Sequence, residues 1–205
     1  MKSELTLIIP TKNEKESLPV FLKELKKYRY KILIVVDPKD PYKYKIKKNR
    51  LISIKKQKKP GYGNALIEGI NSTKTKYFSI INADGSMDPK DLDKMLKLCK
   101  KNNDFIFASR YLKNGGSDDD TTLTFIGNKI FSLIGKVLFD LKISDILFTY
   151  ILGKTSKAKK LKLKSPDFKL CVEIPIKQKR MGYNYNSIPS FERKRIGGKK
   201  KVNEF

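Results

Sequence analysis

The stretch Tyr77–Pro89 contains several side chains that could bind a ligand or take part in a reaction. Its first half is a short apolar run of the kind that forms a strand buried on both faces. That run ends at three side chains with oxygen atoms, those of Asn82, Asp84 and Ser86. Carboxylate and hydroxyl oxygens suit a hard cation such as Mg²⁺ or Mn²⁺, which commonly brings phosphates with it. The alternative is a strand-to-helix turn in which these side chains bond only to the local backbone.

Polar groups elsewhere in the chain could bind the parts of a nucleotide. Asp37 follows an apolar run and can accept a hydrogen bond from the ring N–H of a nucleobase. The turn Gly61-Tyr62-Gly63 lets the backbone approach a ligand and precedes a predicted helix, whose N-terminus favours negative charge. Cations that could hold phosphate oxygens are Arg110, Arg193, Arg195 and Lys199–Lys201. Together these groups indicate a nucleotide-diphosphate pocket.

Short apolar runs alternate with amphipathic segments along the chain. These are predicted to form the strands and helices that hold the polar groups in place. Strands are predicted at Leu5–Pro10, Ile32–Val36, Leu51–Ile54, Phe78–Ile81 and Phe105–Ser109, and helices near Ser17 (its expected cap), at Ala65–Ile70 and from Asp88-Pro89, with Asp88 as N-cap. This alternation predicts parallel pairing and a three-layer α/β sandwich. Polar residues follow four of the strands, at Thr11–Glu14, Asp37, Asn82–Asp84 and Arg110. Because open α/β sheets bind ligands beyond the carboxyl ends of their strands, we expect these residues to meet at one edge.

The chain changes character after Arg110. A polar loop, Lys113–Thr122, precedes an amphipathic helix predicted from Ile130 to Leu141, and a second apolar stretch, Ile143–Leu152, follows. The two apolar stretches are interpreted as a helix pair, which either covers the sheet edge or lies on a membrane with its apolar face down. Later segments are a helix within Leu161–Ile176, bent or broken by Pro166 and Pro175, and an edge strand at Tyr183–Ile188.

Composition limits the partners and the chemistry. The 205 residues suit one domain, with a nucleotide-binding half at 1–111 and a second half at 112–205. The formal charge of +25 implies an anionic partner, although a general preference for lysine would look the same. The chain has no histidine and two distant cysteines, which excludes the usual zinc sites and Ser-His-Asp or Cys-His catalysis. No signal core or uncharged apolar run of ~18 residues is present, so we expect a cytoplasmic protein, soluble or on a membrane surface.

Several motifs keep their order along the chain and carry a resemblance to a known family. They are Ile9–Glu14, Val35–Asp37, Gly61–Ala65 with Gly69, Asn82–Asp84, Ala108–Tyr111, Ser144-Asp145, Glu173 and Glu192–Lys199. In these motifs the chain resembles family 2 glycosyltransferases of the GT-A fold, and among them the polyprenyl-phosphate sugar synthases related to dolichyl-phosphate mannose synthase. The resemblance is more specific in the first half, and it implies a GT-A-type sandwich with a mostly parallel sheet and a C-terminal amphipathic helical segment.

The resemblance implies a role for each matching residue. The nucleotide would be bound by Pro10, Thr11, Asn13, Glu14, Asp37, Gly61, Gly63 and Asn82. The metal, Mg²⁺ or Mn²⁺, would be held by Asp84, Asn82 and Ser86, and phosphates by Arg193, Arg195, Lys199 and Lys200. Catalysis would involve Asp84, Arg110 and Asp145. The family usually has two aspartates where this chain has Asn82-Ala83-Asp84, so one metal-facing charge is replaced by an amide.

The implied reaction is transfer of a sugar from a nucleotide-diphosphate donor, with inversion, to a lipid phosphate or a glycan. A polyprenyl phosphate is already ionised and needs no general base, whereas a hydroxyl acceptor would need a carboxylate such as Asp145 or Glu173. The expected setting is envelope glycan synthesis, with peripheral contact at the inner face of an anionic cytoplasmic membrane.

Three other interpretations stay open. A nucleotidyltransferase would usually have a glycine-rich basic loop after the first strand, and Thr11–Glu14 has no glycine. A nucleic-acid-binding module would interleave arginines with stacking aromatics, but most aromatics here lie in apolar runs, so nucleic acid is not an expected partner. A catalytically weakened relative would fit the amide at Asn82.

Overall fold

The computed structural model describes residues 4–46 and 49–197. Its strands are β1 (Leu5–Thr11), β2 (Lys31–Val36), β3 (Ile52–Lys56), β4 (Tyr77–Ile80), β5 (Phe105–Ser109), β6 (Gly116–Ser117), β7 (Ile151–Lys154), β8 (Tyr185–Pro189) and β9 (Phe191–Glu192). Its α-helices are α1 (Ser17–Leu25), α2 (Tyr62–Ser72), α3 (Asp91–Lys101), α4 (Thr122–Phe139), α5 (Thr155–Lys160) and α6 (Leu170–Arg180). A short 3₁₀ turn, Lys26–Tyr28, follows α1.

The central sheet has seven strands in the described part of the chain, in the order β3-β2-β1-β4-β7-β5-β8. All neighbouring pairs are parallel except those of β7, which runs antiparallel between β4 and β5. The strands β1, β2, β4 and β5 therefore direct their carboxyl ends to one edge, which is the edge where polar residues were expected to meet. The small ladder of β6 and β9 lies apart from this sheet.

Helices cover both faces of the sheet because the inner strands are apolar on both sides. One core cluster contains the buried faces of α1 and α3, including Phe21 and Met95. The other contains the buried faces of α2, α5 and α6, including Leu66 and Ile174. The predicted three-layer α/β arrangement with a mostly parallel sheet is confirmed.

The structure corrects one prediction about the second half and bears out two others. The stretch Ile143–Leu152 is not the second member of a helix pair, because its end enters the centre of the sheet as β7. An aperiodic apolar run fits a buried strand as well as a buried helix, so the sequence did not separate the two. The predicted edge strand at Tyr183–Ile188 is present as β8, and the predicted break at Pro166 precedes α6, which contains Pro175.

Two predicted helix caps are also wrong. The helix after β4 begins at Asp91, because Asp88 and Pro89 form a turn in which the Asp88 carboxylate accepts a hydrogen bond from the Lys90 backbone N–H at 3.0 Å. Ser17 lies inside α1, whose N-cap is Glu16, and the Ser17 hydroxyl donates to the Glu14 carboxylate. Both polar side chains therefore serve local turns beside the carboxyl edge of the sheet.

Candidate active site

A cleft of about 610 Å³ lies at the carboxyl edge of β1, β2, β4 and β5. Asp37, Asp84 and Arg110 follow three different strands, and all three open onto this cleft. The predicted site residues that line it are Pro10, Thr11, Asn13, Glu14, Asp37, Gly61, Asn82, Asp84, Ser86, Arg110 and Arg195. The sheet topology thus brings together side chains that are up to 185 positions apart (Arg195 minus Pro10).

The Asp37 carboxylate organises one end of the cleft. It is 5% exposed, and it accepts hydrogen bonds from the backbone N–H of Lys39 at 2.8 Å and of Gly61 at 3.2 Å. The Lys12 ammonium lies 3.8 Å from the same carboxylate. Each carboxylate oxygen can accept more than one hydrogen bond, so Asp37 both joins two loops and keeps acceptor capacity toward the cleft.

A neighbouring hydrogen-bond network fixes the loop after β1. The Asp40 carboxylate accepts from the Asn13 backbone N–H at 3.1 Å and from the Tyr44 hydroxyl at 2.7 Å. The Tyr44 hydroxyl in turn accepts from the Glu14 backbone N–H at 2.9 Å. The loop that carries Asn13 and Glu14 is therefore tied to the loop after β2, which gives the cleft a rigid wall.

Gln57 lines the cleft, although the sequence analysis did not select it. Its side chain is buried, and Nε2 donates to the carbonyl oxygens of Lys59 at 2.6 Å and Gly61 at 3.1 Å. Two carbonyl acceptors fix the amide nitrogen, so the orientation of the Gln57 amide is determined. A single glutamine in a lysine-rich stretch gives no sequence signal for such a role.

The sequence analysis expected a ligand to approach the backbone at Gly61-Tyr62-Gly63. The structure gives these glycines a different role, in the packing of the chain itself. Gly61 has φ +122°, and a Cβ at Gly63 would clash with the backbone carbonyls of the segment 165–167. The Asn64 N–H donates to the Pro166 carbonyl at 3.1 Å. The close approach at Gly63 is therefore made by the chain's own segment and not by a ligand, and Gly63 does not line the cleft.

Tyr62 connects the Gly61-Tyr62-Gly63 turn to Asn82, which follows β4. Its ring stacks on Phe168 with a centroid distance of 4.6 Å. Its hydroxyl donates to Asn82 Oδ1 at 3.1 Å and lies 2.7 Å from the Thr149 hydroxyl. Burial raises the pKa of Tyr62 far above its ordinary value, so the hydroxyl stays protonated. The amide oxygen of Asn82 therefore already accepts one hydrogen bond, from a donor that stays protonated.

Asp84 has both carboxylate oxygens engaged. Oδ1 accepts from the Ser86 backbone N–H at 3.0 Å, and Oδ2 lies 3.1 Å from Nη2 of Arg195. The side chain of Asp84 is 7% exposed, and that of Arg195 is 19% exposed. The guanidinium of Arg195 therefore lies where the predicted metal would bind.

The described residues do not fit a divalent ion held by the protein alone. None of them form a group of three or more histidine, cysteine, aspartate or glutamate side chains suited to a metal. Of the three predicted ligands, Asp84 is ion-paired with Arg195 and Asn82 accepts a hydrogen bond from Tyr62. Mg²⁺ and Mn²⁺ need several free oxygen ligands, and this set does not offer them in the observed arrangement.

Arg110 is held by three carboxylates. Its Nε and Nη2 donate to Asp145 at 2.7 and 2.9 Å, and Nη1 donates to Asp120 at 3.2 Å and Glu192 at 3.0 Å. Burial alone would lower the pKa of Arg110, but its hydrogen bond to Asp145 and the carboxylate charges raise the pKa above its ordinary value. Arg110 borders the cleft at the centre of a cluster in which three carboxylates outnumber its single positive charge, so it offers little attraction to a phosphate.

Several predicted site residues lie away from the cleft. Asp145 is buried behind Arg110, and the Arg193 guanidinium donates to Glu24 at 2.8 Å and to the Gly85 carbonyl. Glu173 accepts hydrogen bonds from the backbone of Lys164 and Ser165 and does not line the cleft. Lys199 and Lys200 lie outside the described residues.

The second half of the chain supplies cleft residues that were not selected from the sequence. These are Asp119, Leu147, Phe148, Thr149, Asp167, Phe168, Cys171 and Glu192. Burial raises the pKa of Cys171 to about 12, which makes this thiol inert as a nucleophile at neutral pH. Glu192 lies in one of the quoted motifs, whereas Phe168 and Cys171 carry no chemical signal and reach the cleft only through packing.

Comparison with known proteins agrees with this geometry. The family model for glycosyl transferase family 2 matches residues 6–162. A dolichol-phosphate mannosyltransferase from Pyrococcus furiosus is 26% identical over 189 residues, covering 86% of this chain and 53% of that protein. An uncharacterized glycosyltransferase from Mycobacterium tuberculosis is 30% identical over 106 residues, covering 52% of this chain and 48% of that protein. The chain spans about half the length of these relatives.

Solved structures support the same fold. Glucosyl-3-phosphoglycerate synthase from Mycobacterium tuberculosis, crystallised with Mn²⁺, UDP and glucosyl-3-phosphoglycerate, gives a TM-score of 0.68 at 9% identity, covering 98% of this chain and 73% of that chain. A complex of that enzyme with Mn²⁺, UDP and phosphoglyceric acid gives 0.67 at 10% identity, covering 95% and 72%. At such low identity the likeness concerns the fold. With the family match over most of its length, this chain belongs to glycosyl transferase family 2.

Proposed function

We propose that this chain transfers a sugar from a nucleotide-diphosphate donor, with inversion, to the phosphate of a polyprenyl phosphate. The observation that carries the proposal is the convergence of Asp37, Asp84 and Arg195 on one cleft, next to an exposed apolar helix. A donor and a lipid acceptor need such a combination, because one ligand is polar and anionic and the other is largely hydrocarbon.

The donor is assigned to the edge of β1, β2 and β4. Its base lies near Asp37 and its diphosphate near Arg195, because the first group accepts hydrogen bonds and the second donates them. Any Mg²⁺ or Mn²⁺ would have to be held largely by the donor's own phosphates, since Asp84 Oδ2 is paired with Arg195. No step of the proposal depends on that ion.

The reaction forms one bond and breaks one. An oxygen of the acceptor phosphate attacks the anomeric carbon from the face opposite the leaving group, and the bond from that carbon to the diphosphate oxygen breaks. The acceptor oxygen is already ionised, so no general base is needed, which agrees with the burial of Asp145 in an ion pair. Charge builds up on the leaving diphosphate, and a fixed guanidinium at Arg195 would stabilise it.

Helix α4 supports a lipid acceptor. The side of α4 that faces the protein carries the small buried residues Ser132 and Gly135. Most side chains directed outward are apolar, with Val137 71% and Leu138 68% exposed, and Lys129 and Lys136 are exposed among them. A helix that turns its apolar side away from the core fits contact with lipid better than contact with water.

The position of α4 relative to the cleft supports the same acceptor. Asp120, directly before the helix, pairs with Arg110, and Asn128 on its second turn donates to the Tyr111 hydroxyl at 2.8 Å. By length and composition α4 could cross a membrane. We assign it to the membrane surface, because the chain contacts the protein at both ends of α4, where Asp120 pairs with Arg110 and Leu141 is buried. A site on the cytoplasmic face also agrees with the free thiols of Cys99 and Cys171.

A transfer assay tests the proposal. The full chain is incubated with UDP- and GDP-sugars and a short polyprenyl phosphate, and the glycolipid product is measured. We expect product formation by the natural chain and a loss of about 100-fold or more in Asp84→Ala, because the fixed cation loses its partner. Glu4→Ala, which removes an exposed carboxylate far from the cleft, is the control. Equal turnover by the natural chain and Asp84→Ala, or transfer to a glycan hydroxyl alone, would contradict the proposal.

A further inference from the structure

We propose that the Arg195 guanidinium is the resident cation of this cleft, so that a nucleoside diphosphate binds here without a divalent metal. The inference rests on the proposed function for the identity of the ligand. It goes beyond that function by replacing the metal expected at Asn82–Asp84 with a side chain of the protein.

The first argument is the position of the guanidinium. Nη2 of Arg195 lies 3.1 Å from Asp84 Oδ2 and 4.0 Å from Glu14 Oε1. The Arg195 side chain is 19% exposed and lines the cleft, so N–H groups of its guanidinium stay within reach of a ligand bound there. Phosphate oxygens suit these donors, because a guanidinium binds them with several parallel hydrogen bonds.

The second argument is that the backbone holds Arg195 in this place. The Ile196 N–H donates to the Asp84 carbonyl at 2.9 Å, and the Arg193 N–H donates to the Ser86 carbonyl at 2.8 Å. The segment around Arg195 therefore runs along the loop that carries Asp84. This backbone pairing brings the Arg195 side chain next to Asp84.

Side-chain contacts reinforce the same segment. Arg193 clamps the loop through its ion pair with Glu24 and its hydrogen bonds to the Gly85 carbonyl. Ile196 packs on Gly85, where φ is +76° and a Cβ would clash with the Ile196 side chain. These contacts keep the backbone at Arg195 next to the loop of Asp84, within reach of the ion pair between the two side chains.

The third argument is the local charge. Asn82 is neutral and its Oδ1 accepts from the protonated Tyr62 hydroxyl, so Asp84 is the charged member of the Asn82–Asp84 motif. A divalent ion at Asp84 would lie close to the Arg195 cation, and charges of like sign at such a short distance repel each other. The ion pair with Arg195 offsets the negative charge of Asp84, which weakens the attraction of that carboxylate for a second cation.

Nucleotide binding measured with and without metal tests the inference. Isothermal titration calorimetry of the full chain with UDP, GDP, CDP and ADP is performed in Mn²⁺ and again in EDTA. We expect the best-bound nucleotide to keep its affinity within about threefold in EDTA. Arg195→Gln should lose about 10- to 100-fold in EDTA, the range for charge-assisted hydrogen bonds. Arg50→Gln, which removes an exposed guanidinium before β3, is the matched control and should not change affinity.

Two further variants separate a local binding effect from misfolding. Arg195→Lys keeps the charge and should retain more affinity in EDTA than Arg195→Gln does. Asn82→Asp combined with Arg195→Gln restores a second carboxylate and removes the guanidinium, so Mn²⁺ alone should raise its melting temperature but not that of the natural chain. The melting temperatures of all variants without ligand show whether they fold.

The outcomes distinguish the inference from the proposed function. Nucleotide binding by the natural chain that requires Mn²⁺ and disappears in EDTA would overturn the inference while leaving a nucleotide-binding glycosyltransferase. Tighter binding of the Mn²⁺–nucleotide complex by Arg195→Gln would overturn it too, since Arg195 would then only block the metal. No binding of any of the four nucleotides in either condition would contradict the proposed function, and the inference with it.

Discussion

The Arg110 guanidinium and the Asp145 carboxylate form a bidentate ion pair that is almost completely removed from solvent. The two hydrogen bonds measure 2.7 and 2.9 Å, and the side chains are 8% and 0% exposed. The Arg110 backbone N–H also donates to Asp145 at 3.1 Å. Arg110 in turn contacts Asp120, which precedes α4, and Glu192 in β9. This pair therefore anchors the carboxyl edge of the sheet to two segments of the second half.

The pair predicts a large effect of Asp145→Asn on stability. The substitution leaves a buried guanidinium without its main partner, so the free energy of unfolding should fall by about 3–5 kcal/mol. Urea denaturation followed by circular dichroism measures the change. Lys100→Ala, which breaks the exposed pair with Glu4, should cost less than about 1 kcal/mol. Equal, small effects of the two substitutions would show that Asp145 does not hold Arg110 in solution.

A second prediction concerns Gly63 and Gly127, which lie in two different helices. A Cβ at Gly63 would lie 2.7 Å from the Asp167 carbonyl oxygen, and the Cβ of an alanine at Gly127 would meet no atom within 4 Å. Gly63→Ala should therefore destabilise the protein by about 1–3 kcal/mol and weaken nucleotide binding, because the segment 165–167 must move. Gly127→Ala should stabilise α4 by up to about 1 kcal/mol. Thermal unfolding of both variants tests the opposite signs, and equal signs would contradict the packing described at Gly63.

The first half of the site could be predicted from the sequence because its signals are local. Asp37, Asn82 and Asp84 each follow an apolar run directly, and parallel strands place such residues at a common edge. The hydrogen-bond partners of these residues could not be predicted in the same way. Nothing in the sequence indicates that Arg195 pairs with Asp84. The two residues are 111 positions apart and meet only because the segment around Arg195 runs along the loop of Asp84.

The second half could be predicted only in outline. The run that ends in β7 is apolar without a period, and its place between β4 and β5 depends on tertiary pairing. Phe168 and Cys171 reach the cleft because the segment 165–167 packs on Gly63. Helix α4 was predicted as amphipathic, but its apolar side faces outward, which no pattern of spacing specifies.

A third prediction uses the pH dependence of Glu173. Burial raises the pKa of its carboxyl, but hydrogen bonds from Lys177, Ser165 and Lys164 outweigh burial, so the pKa lies below the ordinary value of 4.5. A lowered pKa means that Glu173 stabilises the fold fully above pH 4.5 and loses this contribution as the pH falls through its folded pKa. Glu173→Gln should thus cost roughly 1–3 kcal/mol near neutral pH and less at about pH 3.

Urea denaturation of the natural chain and of Glu173→Gln at both pH values measures this difference. Asp140→Asn, in an exposed pair with Lys179, is the control and should show a much smaller pH dependence. The segment that Glu173 holds includes Ser165 and continues into the cleft wall at Asp167. A loss that is the same at both pH values would mean that Glu173 acts through packing and not through its charge.

The last prediction concerns membrane contact through α4. Leu133, Val137 and Leu138 are 59–71% exposed, and replacing all three with serine removes apolar area without opening a cavity in the core. If these side chains enter the lipid surface, each contributes on the order of 1 kcal/mol, so the triple variant should bind vesicles of phosphatidylglycerol and phosphatidylcholine at least about 100-fold more weakly. Its melting temperature in solution should stay close to that of the natural chain. Vesicle sedimentation measures the binding, and the double variant Val20→Ser and Met181→Ser, at exposed apolar positions on α1 and after α6, is the control. Unchanged sedimentation of the triple variant would exclude α4 as the lipid contact, and concentration-dependent self-association that the triple variant abolishes would assign this face to a second copy of the chain instead.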